Sequence, residues 1–195
     1  MADHHTNESD EPRLGRPPKL DDRGRPTRER LLAAAMAACV ECGFEGVTLG
    51  DIASRAGVST PAIYNHFDGK SDLLVQACRW ALARMAEPDD DARPDPSEVV
   101  TRYLSPEFAD ARVLQLELHL ASLRHDDVRD LLAKWHGDNA SVWTGAGVEL
   151  TTVKLWYLLL LGLAQLDAVT SLEVGHAQLE HHAQQLVARL FAPGH

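Results

Sequence analysis

The chain has 195 residues, 45% of them apolar and 25% charged, with a formal net charge of −10. That length allows one ordinary domain or two small ones with real cores, and the dominance of Leu and Ala over Val and Ile favours helices. The acidic balance excludes a protein that coats nucleic acid by charge alone, and the longest apolar run, Leu155 to Ala164, is too short to span a bilayer. The N-terminus is acidic and lacks an apolar segment, so no secretory leader is expected and the chain is placed in the cytoplasm, away from membranes. Three cysteines, an odd number without a framework, agree with a reducing compartment.

Residues 1–24 form a polar arm without apolar periodicity. It contains Gly15-Arg16-Pro17, and Gly24-Arg25-Pro26 follows at its end. Such units resemble the core of AT-hooks, in which extended backbone carries an arginine into a narrow minor groove. Arg16 and Arg25 are therefore candidate DNA contacts, while the neighbouring Asp10, Glu11, Asp21 and Asp22 favour a solvated linker. Both readings stand. Charge is unevenly spread: residues 13–70 carry 9 Lys and Arg against 7 Asp and Glu, and residues 71–195 carry 10 against 18. The front third is thus mildly basic, and the acidic remainder would repel phosphate and orient the molecule.

A first helix is predicted from Thr27, its cap and a candidate DNA contact, to Gly43. Leu31, Leu32, Ala35, Ala38 and Cys39 make its buried stripe. Cys39 and Cys42 form a C-x-x-C inside this helix with no second pair, so Cys39 reads as a small core residue. Residues 48–67 then read as two short helices around a glycine turn, the geometry of a helix-turn-helix DNA reader. Thr48 caps the first, with Asp51 in its positive first turn, and Gly57 ends it. Val58 plugs the gap and Ser59 caps the second helix, about Thr60 to Phe67, with Pro61 in its first turn. Thr60, Pro61 and Ala62 are short enough to let backbone approach base edges, and their methyls suit a thymine methyl. Tyr64, Asn65, His66 and Lys70 offer donors suited to phosphate oxygens, contacts that set register without reading sequence.

From Arg28 to Leu74 the chain resembles the N-terminal domain of the tetracycline-repressor (TetR/AcrR) family of transcriptional regulators. The resemblance rests on RERLLAAAMAACVECGF, VTLGDIASRAGVS and AIYNHFDGKSDLL. It implies that the first helix packs behind the hairpin, that Tyr-x-His-Phe ends the recognition helix, and that Lys70 opens a fourth helix at a phosphate. Pro61 stands where the family often has glycine, and Cys39 where it usually has a bulky aromatic. These departures imply a different surface against the bases and a locally repacked core.

A fourth helix, about Ser71 to Ala86, carries Leu73, Leu74, Ala77, Trp80 and Ala81. The Pro- and Asp-rich run EPDDDARPDPSE then divides the chain. The expected organisation is an arm at 1–24, a DNA-binding domain at 25–85 and a helical domain at 86–195. The fold class is all-α. LQLELHL, Leu114 to Leu120, alternates like a strand but lacks β-branched residues, and Val113, Leu116, Leu120 and Leu123 fit one helix face. A helix over about Asp126 to Trp143 would bury Val128, Leu131, Leu132 and Trp135. Val148 to about Thr170 is apolar nearly all round and so must be covered from several sides. The last segment carries Leu179, Ala183, Leu186, Val187 and Leu190 at helical spacing. Two such helices invite pairing with a second copy, with Trp156, Leu159 and Leu163 joining Leu179, Ala183, Leu186 and Leu190 in a homodimer interface.

Ten histidines raise metal binding, but none lies in a recognisable ligand spacing, and no metal or cofactor is expected. Phosphate loops, nucleophile elbows and paired carboxylates are absent, which argues against an enzyme. The resemblance implies instead a pocket for a small-molecule effector among the central helices. Trp135, Trp143, Trp156, His119 and Glu117 are the candidate lining residues, though the tryptophans suit a packed core as well. The expected function is a homodimeric, ligand-responsive regulator, most simply a repressor, on a pseudo-palindromic operator in double-stranded DNA. An activator, a ligand-independent regulator and a helical interaction module are the alternatives.

Overall fold

The computed structural model describes residues 26–85, 95–169 and 176–192, and their regular elements are helical throughout. Arg16, Arg25, the arm at 1–24 and most of the Pro- and Asp-rich break lie outside the described residues. The helices are α1 (Thr27–Gly46), α2 (Leu49–Ala56), α3 (Thr60–Ile63), α4 (Lys70–Ala83), α5 (Pro96–Leu104), α6 (Ala109–Ala121), α7 (Asp126–Thr144), α8 (Leu150–Val169) and α9 (His176–Leu190). A single 3-10 turn, Pro106–Phe108, joins α5 to α6.

The start of α1 differs from expectation by one position. Pro26 precedes the helix in extended backbone and accepts the N–H of Arg30 at 3.3 Å, so Thr27 is the first helical residue and not the cap. Gly43, with φ 69° and ψ 171°, breaks α1 where its end was predicted, and one further turn follows to Gly46. A left-handed φ of this kind suits a residue without Cβ. A Cβ there would also meet the Glu117 carboxylate at 3.2 Å.

Two hydrophobic clusters organise the rest. The first joins α1 to α4 through Leu31, Leu32, Ala38, Cys39, Ile52, Ile63, Phe67, Leu73 and Leu74, then runs on into Leu114 and Leu118 of α6 and Val128, Leu132 and Trp135 of α7. The second gathers Val99, Val100 and Tyr103 of α5, Trp143 of α7, Val153, Trp156, Leu160 and Leu163 of α8, and Ala183 and Val187 of α9. The front four helices therefore share a core with α6 and α7. That continuity makes a mechanical link between the halves.

LQLELHL is helical as predicted, but on a different face. Leu114, Gln115, Leu118 and Ala121 are buried, whereas Leu120 is 50% and Leu123 76% exposed. Burial is set here by α1 on one side and by α7 and α8 on the other. Those partners draw in the 114/118/121 row, a choice that hydrophobicity alone could not make.

Candidate DNA-reading face and effector cavity

The reader begins with a reciprocal cap. Thr48 Oγ1 accepts the Asp51 N–H at 3.2 Å, and Asp51 Oδ2 accepts the Thr48 N–H at 3.3 Å and its hydroxyl at 2.6 Å. This satisfies the orphan donors at the start of α2. At the other end Gly57, with φ 65°, donates to Ser54 O and Ala53 O, and Val58 N–H reaches back to Ala53 O at 3.0 Å. This is the doubly bonded helix stop that favours glycine. Val58 is half-buried against the first cluster, as its plug role required. Arg30 of α1 clamps the same turn by donating to the carbonyls of Ala56 and of Gly57, the latter at 3.2 Å.

The regular part of α3 covers Thr60–Ile63, and bonds from Asn65, His66 and Phe67 back to Ala62 and Ile63 carry the turn on to Phe67. Ser59 stands at the cap position, yet its side chain makes no capping bond; its carbonyl accepts Ala62 N–H at 2.9 Å. Ile63 and Phe67 are buried and hold the helix down. Pro61, Tyr64, Asn65 and His66 face outward, Tyr64 at 60% exposure, with Thr60 and Ala62 half-buried between them. Thr48 and Ser59 are also exposed on the hairpin.

Lys70 opens α4 as the resemblance implied, but its ammonium turns inward. Nζ donates to Phe44 O at 2.9 Å and Val47 O at 3.3 Å, and lies 4.5 Å from the centre of the Phe44 ring. It closes the carbonyl end of α1 from beneath. The C-x-x-C likewise belongs to structure: burial and the nearby Glu117 carboxylate push the Cys39 thiol up to about 12, and Cys42 is exposed on its own.

A cavity of about 430 Å³ lies between α4, α5, α6, α7 and α8. Of the residues expected there, Trp135, Trp143 and Trp156 line it. Trp143 and Trp156 meet edge to face with centroids 4.9 Å apart, and Phe191 closes the cluster at 5.4 and 5.5 Å. His119 does not line it: its ring sits behind His136, Nε2 to Nε2 at 3.3 Å, with Nδ1 2.8 Å from Gln115 O. Glu117 does not line it either. Its Oε2 accepts the Phe44 N–H at 2.9 Å at the α1 break, on the other side of α6. At about 100° per residue, Gln115 and Glu117 necessarily point to opposite faces of that helix.

The cavity wall holds residues the sequence reading passed over, among them Arg79, Gln115, His136, Asn139 and Tyr157. Burial and the adjacent His119 lower the affinity of His136 for a second proton, and burial raises the Tyr157 hydroxyl to about 12, so both are neutral at pH 7. Tyr157 follows Trp156 directly, the one local signal that could have flagged it. Arg79 and Gln115 carry no such signal. Among the described residues no group of three or more His, Cys, Asp or Glu is placed to hold a metal ion.

Of the residues predicted for a dimer face, only Leu186 is exposed on the subunit. Trp156, Leu163 and Ala183 are buried within the subunit, and Leu159, Leu179 and Leu190 are half-buried. The outward leucines are Leu150, Leu155, Leu158 and Leu166 of α8, Leu158 at 65% exposure, and Leu186 of α9. No described helix is long and apolar enough to cross a membrane.

Residues 31–77 match the family model of the bacterial regulatory proteins of the tetR family. The HTH-type transcriptional regulator YerO of Bacillus subtilis is 31% identical over 90 residues, which cover 44% of this chain and 31% of that protein. The HTH-type transcriptional repressor AcnR of Corynebacterium glutamicum is 36% identical over 61 residues, 31% of this chain and 32% of that one. The matched stretch spans about a third of the length of these relatives. A crystal structure of a Rhodococcus sp. protein described as a TetR-family transcriptional regulator has the same fold, with a TM-score of 0.67 at 22% identity over 85% of this chain and 98% of that one. The regulator SCO7518 of Streptomyces coelicolor A3(2) superposes with a TM-score of 0.58 at 27% identity, over 84% of this chain and 97% of that one. Over residues 31–77 the chain is thus similar to the tetR family of bacterial regulatory proteins, and its fold is shared with structures of regulators of that family. Its relatives are named as transcriptional regulators and not as enzymes.

Proposed function

We propose that the protein is a sequence-specific DNA-binding regulator that grips a pseudo-palindromic operator as a homodimer and releases it when a small molecule enters the cavity. The observation that carries this reading is the outward face of α3, locked by a capping box at one end of the hairpin and buried Phe67 at the other. Thr60, Pro61 and Ala62 meet base edges; Tyr64, Asn65 and His66 meet phosphates. Lys70 supports them by holding the end of α1. Repression is favoured over activation because the Corynebacterium glutamicum relative is named a repressor.

The leucines facing outward on α8 and α9 supply the contact between two copies. Two readers joined this way address half-sites ~34–36 Å apart, one helical turn of DNA. The effector acts through α4, which opens beside the reader at Lys70 and lines the cavity with Arg79, Leu82 and Ala83. A ligand shifts the equilibrium only by its unequal affinity for the gripping and released states, so it must fit the cavity better when α4 is displaced.

Selection of binding sites from random DNA tests the reader, and a library of metabolites and antibiotics screened for operator release tests the sensor. Ala62→Phe should return an altered consensus, whereas Tyr64→Phe should weaken all operator variants alike. An unchanged consensus for Ala62→Phe would overturn this register of α3 on the bases.

A further inference from the structure

Among the described residues the one charged side chain bordering the cavity is Arg79, set among the neutral polar groups of Tyr103, Gln115, His136, Asn139 and Tyr157. Gln115 is only 8% exposed, and its Oε1 is occupied by the Tyr103 hydroxyl at 2.6 Å. That bond orients the amide so that its two N–H groups, which border the cavity, have no acceptor among the described residues. Trp156 Nε1 is buried in the same wall and likewise has no acceptor. Arg79 stands at the edge with no carboxylate within ion-pair distance among the described residues. Among the described residues no Asp or Glu lines the cavity, although residues 71–195 are acidic overall. A donor in an apolar wall that lacks a protein acceptor favours a ligand that brings one.

The shape is equally restrictive. Trp135, Trp143, Trp156 and Tyr157 present flat surfaces, and such rings favour stacked or edge-on aromatic partners. The volume, about 430 Å³, is nearly three times that of the ~150 Å³ cavity that takes a benzene.

We propose that the effector is a flat aromatic acid of two or three rings, its rings among the tryptophans and its carboxylate and other oxygen acceptors met by Arg79 and Gln115. This rests on the sensing function proposed above and names its ligand class. A cationic aromatic of the same size is disfavoured by the guanidinium, whose like charge no described carboxylate in the lining offsets.

The test is a titration of the full chain, followed by its tryptophan fluorescence, with 2-naphthoate, 2-naphthalenemethanol and 2-naphthylmethylammonium. Naphthoate should bind at least tenfold more tightly than the ammonium compound. Arg79→Met, a change at an exposed position that spares the core, should remove about tenfold from naphthoate affinity and leave the alcohol unchanged. Gln115→Leu should weaken both. Ammonium binding as tight as naphthoate, or an Arg79→Met variant that binds naphthoate normally, overturns the acid class; operator release by whichever probe binds would leave the sensor standing. If none of the three binds at millimolar concentration, the class is overturned, and the sensor falls with it only if the library screen for operator release is also empty.

Discussion

Lys70 illustrates how one side chain can support a DNA-binding hairpin from within the protein. Its ammonium satisfies two carbonyls at the end of α1 and covers the Phe44 ring, tying the first turn of α4 to the break at Gly43. Hydrogen bonds to a charged donor contribute about 1.5–3 kcal/mol, less where solvent reaches them. Lys70→Ala should therefore destabilise the protein by about 1–2 kcal/mol in urea unfolding, together with any loss of operator affinity. A variant of unchanged stability whose salt slope for operator binding falls by about 1 would show instead that the ammonium swings out to a phosphate. Glu117 meets the same break from the other half of the chain by accepting the Phe44 N–H. A carboxylate at that point ties α6 to α1 in the turn that Lys70 ties to α4.

At the scale of elements, α6 and α4 both touch the end of α1 that leads into the reader and also line the cavity, α6 through Glu117 and Gln115, α4 through Lys70 and Arg79. A helix is stiff, so a shift at one end is felt at the other. The outward faces of α8 and α9 have no such inner partner. Leu155, Leu158 and Leu186 lie exposed on them, and a dimer interface that covers such faces typically buries 2,000 Å² or more. Leu158→Glu places a charge at that face without disturbing the subunit core. The expected outcome is a monomer by light scattering and a steep loss of operator affinity; a stable dimer would move the interface elsewhere.

For the whole molecule, the decisive property is that the front helices and the cavity are not independent bodies. The first cluster runs from Leu31 through Leu118 to Trp135, and Trp135 lines the cavity. An effector that fills the cavity should thus stabilise the entire chain in one transition. At a hundredfold excess over Kd the gain is ~2.7 kcal/mol, which for a chain of this size corresponds to a rise of about 5–10 °C in Tm. Two separated transitions, only one of them ligand-dependent, would show that the halves melt apart and that α4 alone carries the signal.

The helices of the reader, the Thr48 cap and the glycine stop were legible in the sequence because they depend on neighbours within four or five positions: Thr48 with Asp51, Gly57 with Ala53, Pro61 in a first turn; the Ser59 side chain, expected to cap α3, makes no such bond. Helicity in the rear half was legible for the same reason, from periodicity and the scarcity of β-branched residues. Which face each rear helix buries was not. Leu114 and Leu120 are equally apolar, and only the placement of α1, α7 and α8 decides that one is buried and the other exposed. The cavity shows the same limit. Its tryptophans could be named for their bulk, but Glu117 turned to the α1 break, His119 fell behind His136, and Arg79 and Gln115 came forward from positions with no local mark. Local hydrogen bonding and periodicity are written along the chain; burial and convergence are properties of packing between segments far apart in it, and only the tertiary structure decides them.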